Sequence, residues 1–218
     1  MARVAGDPVR EQLLLRRLGG DRLSTYLTAC GGSVTEALVL YQWNNEVAGA
    51  FWETLGQWEV LLRNVIDGQL RARHATRGRV GSWLDDPAGE LSAQARVDIK
   101  VAGDRVRRKG KTVTDPQTVS ELSFGFWRFL ISRRYTNLWP DLASGFPYAP
   151  NRRLSTVEDR VADLHEFRNR LAHQQRIWAQ PLHDRYTEIL ELAGWVNPVL
   201  REWLQETTRV PAILAAQP

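Results

Sequence analysis

The segment from Arg168 to His173 contains side chains that suit the cleavage of RNA. A histidine can accept or donate a proton near neutral pH, and an arginine can hold phosphate oxygens while negative charge builds in a transition state. Asn169, which follows the arginine, can orient the phosphate or the imidazole ring. The spacing alone is weak evidence, because Arg160 and His165 stand in the same relation.

Arg168 occupies an unusual place in the pattern of its own predicted helix. Apolar residues recur there at helical spacing, at Val157, Val161, Leu164 and Leu171. Arg168 fills the missing position between the last two, and a cation on an apolar face costs free energy unless it meets a partner or a cleft. The alternative is that its side chain extends to solvent and that His173 merely ends the helix.

The geometry of a single helix sets a condition on this site. Five residues at about 100° each place Arg168 and His173 about 140° apart on an ideal helix. The two side chains would therefore meet at one phosphate only if the helix ends or bends there, or if a second subunit completes the site.

Helices must position these residues, because apolar residues recur at the helical period along almost the whole chain. The pattern predicts an all-α protein of about eight helices in a single domain over residues 1–218. The predicted helices cover about 8–18, 35–75, 91–108, 118–132 and 156–174, with two more beginning near Pro181 and Pro198.

Polar and Pro/Gly-rich residues mark the predicted boundaries. The long segment 35–75 is expected to break at Asn44 and Asn45, and Ser155 with Glu158 is expected to form a capping box for the helix that carries Arg168. Residues 137–153 are expected to form a loop. The tail over about 207–218 and the helix over about 8–18 are expected to be peripheral, with the tail loosely held.

Composition excludes several classes of protein. The one cysteine, Cys30, rules out an internal disulfide and a thiolate metal site, and with only four histidines no metal cluster or cofactor motif is recognisable. We therefore expect no metal and no cofactor. No apolar stretch is long enough for a signal peptide or a membrane span. The sequence predicts a cytoplasmic protein that does not enter a membrane.

Basic residues are crowded in the middle of the chain, although the net charge is only +4. One group lies between Arg71 and Arg79, and a second comprises Arg105, Arg107, Arg108, Lys109 and Lys111. Near a nuclease site the two groups would form a track for RNA phosphates. The alternative is an ordinary solvated face.

Six blocks along the chain resemble the Abi-like (abortive infection, AbiD/AbiF-type) proteins of the HEPN superfamily. They are RLSTYL (22–27), ALVLYQWN (37–44), WEVLLRNVI (58–66), ELSFGFWRFL (121–130), NLWP (137–140) and LHEFRNRLAHQ (164–174). The HEPN ribonuclease motif is an arginine, a polar residue and, after a gap, a histidine, and Arg168, Asn169 and His173 match it.

The resemblance implies a HEPN-like helical bundle with additional helices, which acts as a homodimer with two motifs facing one cleft. It implies metal-independent endoribonuclease activity in phage defence or in a toxin–antitoxin system, with RNA as the substrate. It also implies a possible inhibitory partner, either a small RNA or a protein antitoxin. In the expected reaction the 2′-OH attacks the adjacent phosphate, with Arg168, Asn169 and His173 as catalytic residues.

The same resemblance draws attention to Glu59, Arg63 and Asn64 in the block WEVLLRNVI. Glu59 and Arg63 are four residues apart in the order that favours an ion pair on a helix, which would be a structural feature. The functional interpretation is that these residues line the cleft and help to position RNA or the catalytic helix. Both interpretations stay open at this point.

Two other kinds of function remain open. The protein could bind RNA in the same dimer cleft without cleaving it, or it could be a protein-interaction module whose arginines only keep its surface soluble. RNA cleavage assayed in EDTA separates the enzyme from the first alternative. The absence of salt-dependent RNA binding would favour the second.

Overall fold

The computed structural model describes residues 7–218, and the regular secondary structure in that range is entirely helical. Eleven α-helices follow one another: α1 Pro8–Leu18, α2 Gly20–Ala29, α3 Val34–Thr76, α4 Ala93–Arg108, α5 Asp115–Glu121, α6 Phe124–Leu130, α7 Trp139–Leu142, α8 Leu154–Ala172, α9 Leu182–Val196, α10 Pro198–Thr207 and α11 Val210–Leu214. The predicted all-α class is confirmed. Residues 1–6, part of the start searched for a signal peptide, lie outside the described range.

Side-chain caps explain where several helices begin. The Asp7 carboxylate accepts a hydrogen bond from the Val9 amide at 3.0 Å, and Pro8 then starts α1 at the predicted residue. Ser123 caps α6 in the same way by accepting from the Phe126 amide. Because Leu122 before it is extended, the single helix predicted over 118–132 is in fact two, α5 and α6.

Helix α3 corrects the expectation of a break at Asn44 and Asn45, since it runs through both residues for 43 residues in all. Asparagine weakens a helix because its side chain competes for backbone hydrogen bonds. The Asn44 side chain instead has partners elsewhere in the fold, so it does not compete with the backbone of α3.

Helix α8 begins one residue before its predicted cap, at Leu154, so Ser155 lies inside the helix. Glu158 has another role, because its Oε1 accepts a hydrogen bond from the Arg133 amide at 3.2 Å. The predicted loop over 137–153 also differs, since it contains α7 and a 3₁₀ turn, Ala143–Gly145.

The chain divides into two compact units. The first contains residues 7–54, 170–186 and 208–218, and the second contains 55–169 and 187–207. Helices α3, α8 and α9 each contribute residues to both units. The single domain over residues 1–218 stays a prediction.

The core of the first unit lies between α2 and α3. Leu23, Tyr26 and Leu38 are buried there, and the Tyr26 ring meets the edge of the Tyr41 ring at 5.4 Å between centroids. Trp178, which follows α8 in the chain, lies 6.1 Å from the same tyrosine ring. This packing holds the segment after α8 against α2.

The C-terminal residues of the first unit are better held than the sequence predicted. Val210 and Leu214 of α11 are buried, and the Trp43 indole donates to the Ile213 carbonyl at 2.9 Å. An ion pair between Arg209 and Glu53 at 2.6 Å adds a contact to α3. The expected loose tail is therefore a packed part of this unit, because burial of its apolar side chains offsets the cost of ordering it.

Aromatic side chains dominate the core of the second unit. Trp58 and Trp127 are fully buried, and Trp127 packs against Trp83 with 6.3 Å between ring centroids. The turn after α7 lies close to α3, because a Cβ on Gly145 would lie only 2.5 Å from a methyl group of Val65. Among the helices that the structure describes, none is long and apolar enough to cross a membrane.

Candidate functional site

His173 lies immediately after the last residue of α8, at the C-cap position. The Gln174 amide donates to the Leu171 carbonyl and the Gln175 amide to the Arg170 carbonyl, each at 2.9 Å. These two bonds form a Schellman motif, which ends a helix with a residue in the left-handed conformation. Gln174 is that residue, with φ at 50°, a position that glycine usually fills.

A buried side chain of α3 fixes the segment that follows. Asn44 is 2% exposed, and its Oδ1 accepts hydrogen bonds from the Ile177 amide at 2.8 Å and the Trp178 amide at 3.1 Å. These bonds satisfy two backbone donors that would otherwise be buried without partners. Together with the Schellman motif they hold the chain on both sides of residues 174–176.

His173 lines an open cavity of about 440 Å³ that lies wholly within the first unit. Its wall consists of Arg22, Tyr26, Arg170, His173, Gln174, Gln175, Arg176, Ala179 and Gln180. Three of these residues are arginines, and none of the nine is acidic. The cavity is therefore positive and suits an anion.

Neutral acceptors hold two of these arginines in place. Arg22 donates to the Gln174 carbonyl at 3.2 Å, and Arg176 donates to the Thr25 hydroxyl at 2.7 Å. Neither guanidinium forms an ion pair within residues 7–218, so their charge is left for a ligand. Both lower the pKa of Tyr26, but burial raises it more, to about 12, which keeps the phenol neutral.

Arg168 belongs to the second unit, where it faces Glu59 of α3. Its Nε lies 3.8 Å from the Glu59 Oε2, and about a third of its side chain (32%) is exposed. Burial raises the pKa of Glu59, although Arg168 and Arg63 both act to lower it. The cation on the apolar face of α8 thus has the carboxylate partner that its position requires.

The structure places the three motif residues in different units. Arg168 and the half-buried Asn169 lie in the second unit, whereas the exposed His173 lies in the first. Because α8 ends at Ala172, the angle of an ideal helix no longer fixes the direction of the His173 side chain. A joint site of these residues stays a prediction.

The ion pair between Glu59 and Arg63, one of the two interpretations left open by the sequence, is not formed within the described residues. Glu59 pairs with Arg168 instead, and the buried Arg63 Nε has no hydrogen-bond partner in that range. Asn64 is exposed on α3. The physical reason is that tertiary contact with α8 competes with the local pair along one helix.

Arg160 and His165, the second arginine–histidine pair of the sequence, are both engaged in contacts within the fold. The His165 ring meets the edge of the Phe124 ring at 5.3 Å and packs against Gly125. Burial, then the charges of Arg128 and Arg168, lower the pKa of His165. Arg160 pairs with Glu188 at 3.3 Å.

Each arginine of the basic group between Arg71 and Arg79 pairs with a carboxylate, and its contact with RNA stays a prediction. Its centre is Glu90, which pairs with Arg73 and Arg79 at 2.6 Å each and with Arg77 at 3.6 Å. Arg73 is buried and also pairs with Asp141 of α7. These arginines are therefore used to join structural elements.

The second basic group lies at the end of α4 and just beyond it. Arg105, Arg107, Arg108, Lys109 and Lys111 are all exposed. Arg107 pairs with Asp104 at 2.6 Å, and Lys109 pairs with Glu121 and holds the pKa of that carboxyl below its usual range. The local carboxylates thus neutralise part of this surface, and its contact with RNA stays a prediction.

Sequence reasoning missed Arg22, Tyr26, Arg170 and Arg176 as members of the cavity. Arg170 and Arg176 flank His173, which was a usable signal, whereas nothing in the local pattern linked Arg22 to a histidine 151 residues later. Within residues 7–218 no three histidine, cysteine or acidic side chains are grouped so that they could hold a metal ion.

Comparison of the chain with family models, curated proteins and solved structures gives no match.

Proposed function

We propose that this protein is a metal-independent endoribonuclease in which His173 transfers a proton at the scissile phosphate. One observation carries the proposal: a histidine lines a cavity with three arginines and no carboxylate. A phosphodiester fits this chemistry because arginine binds phosphate oxygens through a planar pair of donors. The resemblance of the motif blocks to HEPN ribonucleases supports the same function.

The proposed reaction is an internal transfer of the phosphoryl group. The 2′-OH loses its proton to a base, its oxygen forms a bond to phosphorus, and the bond from phosphorus to the 5′-oxygen breaks. A proton passes to the departing 5′-oxygen, so the products are a 2′,3′-cyclic phosphate and a 5′-OH end. Arg22, Arg170 and Arg176 would stabilise the charge on the non-bridging oxygens.

A homodimer is part of the proposal, because the reaction needs both a base and an acid. The cavity contains one histidine, and the phenol of Tyr26, with a pKa near 12, is a poor proton carrier at neutral pH. A second copy of the chain would supply a second His173. Arg168 and Asn169 keep their proposed catalytic roles, and we propose a HEPN-like bundle for the fold.

The biological setting we propose is phage defence or a toxin–antitoxin system. A free ribonuclease in a cell must be restrained, so an inhibitory small RNA or protein antitoxin belongs to this setting. The exposed basic residues at the end of α4 would contribute contacts to RNA phosphates outside the cleavage site.

A second candidate is RNA binding without cleavage. The ion pair between Arg168 and Glu59 favours it, because an arginine that is held by a carboxylate is less able to bind a phosphate. In that case RNA would bind with a strong dependence on salt but would remain intact after long incubation.

The decisive experiment compares variants of the predicted catalytic residues with variants of Arg160 and His165, the second arginine–histidine pair. We expect His173→Ala and Arg168→Ala each to reduce cleavage of a labelled RNA by about two to four orders of magnitude. Arg160→Ala and His165→Ala serve as matched controls and should retain most activity. Cleavage should persist in EDTA, and thermal melting of each variant shows that it is folded.

The possible results separate the hypotheses. Loss of activity in His165→Ala but not in His173→Ala would mean that the wrong histidine has been chosen. Intact RNA with the unmodified protein, together with salt-dependent binding, would support the non-cleaving alternative. If neither binding nor cleavage is found, the ribonuclease proposal fails.

A further inference from the structure

A second cavity lies in the second unit, beside a segment that contains both aromatic and basic residues. From Leu122 to Tyr135 the chain contains three arginines and no acidic residue. Phe129 on α6 is 55% exposed, although most aromatic side chains of this unit are buried. An exposed aromatic ring among cations is a typical feature of surfaces that bind single-stranded nucleic acid.

The cavity has a volume of about 250 Å³ and lies between α4 and α6. Its apolar wall is formed by Ala95, Phe126, Phe129, Leu130 and Tyr135, and its polar groups are Ser92, Gln94, Asp98 and Arg134. An apolar cavity with a few polar groups is the usual form of a site for a small planar molecule.

The wall of the cavity is rigid on the side of Tyr135. Its hydroxyl donates to the Ser92 Oγ at 2.9 Å and accepts from the Ser92 amide at 3.1 Å. Ser92 is in turn the cap of α4, where its Oγ accepts from the Ala95 amide at 3.2 Å. The tyrosine ring is therefore fixed before any ligand binds, which lowers the entropy cost of binding.

Two arginines, one in the cavity wall and one over the Phe129 ring, are available for anions. The Arg128 guanidinium carbon lies 4.8 Å from the centroid of the Phe129 ring, and Arg134 lines the cavity itself. Neither forms an ion pair with any of the residues from 7 to 218. A ligand that places an aromatic ring in the cavity and negative charges outside it would satisfy both features.

We propose that this cavity is a subsite for one base of single-stranded RNA, stacked on Phe129, with Arg128 and Arg134 contacting the neighbouring phosphates. The inference rests on the proposed function, because that function supplies the RNA. It adds a site that recognises a base, which the cleavage of the phosphodiester bond does not itself require.

The polar groups of the cavity predict which bases it accepts. Asp98 is an acceptor of hydrogen bonds and already receives one from Gln94 at 2.9 Å. Adenine and cytosine carry exocyclic amino groups that can donate to a carboxylate, whereas uracil presents carbonyl oxygens at the corresponding edge. The subsite should therefore prefer adenine or cytosine to uracil.

The test uses RNA that the proposed reaction cannot cleave. Oligonucleotides of about eight adenosines or uridines with 2′-O-methyl groups lack the attacking hydroxyl, and fluorescence anisotropy measures their binding to the unmodified protein and its variants. We expect tighter binding of the adenosine probe, and a loss of roughly tenfold in Phe129→Ala. In this variant the binding constant should depend on salt concentration as it does in the unmodified protein, because stacking on a neutral ring releases no counterions.

Two further variants complete the test. Tyr148→Ala is the matched control, because Tyr148 is another aromatic residue of the second unit with similar exposure, 58%, and it should bind the probe as the unmodified protein does. Arg134→Gln should reduce the slope of the logarithm of the binding constant against the logarithm of the salt concentration by about one, because one phosphate contact is lost. Asp98→Ala should remove the preference for adenosine, because alanine has no side-chain acceptor.

The outcomes distinguish this inference from the function on which it rests. If the unmodified protein binds the adenosine probe and Phe129→Ala binds it equally well, the base subsite is wrong and the ribonuclease proposal is unaffected. If Phe129→Ala and Tyr148→Ala weaken binding equally, the effect is not specific to the cavity and the inference is overturned. If the unmodified protein neither binds the probes nor cleaves RNA, the proposed function itself fails.

Discussion

The position of His173 depends on single polar residues that act through the backbone. Asn44 and Gln174 are neither charged nor aromatic, yet they determine the conformation of the chain around the cavity. Both can be tested by exchanges that leave the charge of the cavity unchanged.

Asn44→Ala should destabilise the protein by about 2–3 kcal/mol, because it leaves one buried and one partly buried backbone donor without a partner. A small gain in helix propensity opposes this loss. Asn45→Ala is the matched control, since its side chain is exposed and the gain in propensity is the same. Urea unfolding of both variants isolates the two hydrogen bonds, and equal stabilities would show that they contribute nothing.

Gln174 offers a test of backbone strain, because it has a φ of 50° at the end of α8. Gln174→Gly should raise stability by at most about 1 kcal/mol, since glycine adopts this conformation without strain. Gln174→Val should cost roughly 1–2 kcal/mol, because a β-branched residue resists a positive φ. Similar unfolding free energies of the two variants would contradict the assigned C-cap.

Among the structural elements, a cluster of charges joins the end of α3 to α7 and to the segment between α3 and α4. Glu90 is bound by Arg73 and Arg79, and Arg73 also pairs with Asp141. The hydrogen bond from Arg79, with that from Arg73, lowers the pKa of Glu90 from 4.5 to about 2 against the effect of burial. The charged form of Glu90 therefore stabilises the fold.

This cluster predicts a dependence of stability on pH. A lowered pKa means that the contribution of Glu90, about 3 kcal/mol, is present above pH 4.5 and is lost as the pH falls from there to about 2. Glu90→Gln should be less stable at pH 7 and should lose less on acidification. Glu206→Gln, at an exposed glutamate of α10, should behave as the unmodified protein in the same urea titrations.

For the molecule as a whole, the proposed reaction predicts a homodimer. Internal transfer of a phosphoryl group needs a proton acceptor and a proton donor, and each cavity has one histidine. Light scattering at micromolar concentration should give about twice the chain mass of 24.9 kDa. A monomer with full cleavage activity would contradict the proposed supply of a second histidine.

Local patterns in the sequence were sufficient for the fold class and for several helices. The all-α class follows from apolar residues at helical spacing, and the starts of α1 and α10 follow from Pro8 and Pro198, which suit the first turn of a helix. The end of α8 beside His173 was also predicted to within two residues. These features depend on residues that are near each other along the chain, so their spacing carries the necessary information.

Only the tertiary structure decided which residues surround His173 and which partners the charged residues choose. Arg22 and Gln174 are 152 residues apart, and Asn44 binds a segment 133 residues later. The same holds for Glu59, which pairs with Arg168 of α8 and not with Arg63 of its own helix. The physical reason is that such contacts form when packing of the apolar faces brings distant elements together. The spacing of residues within one element does not indicate which other element it will pack against.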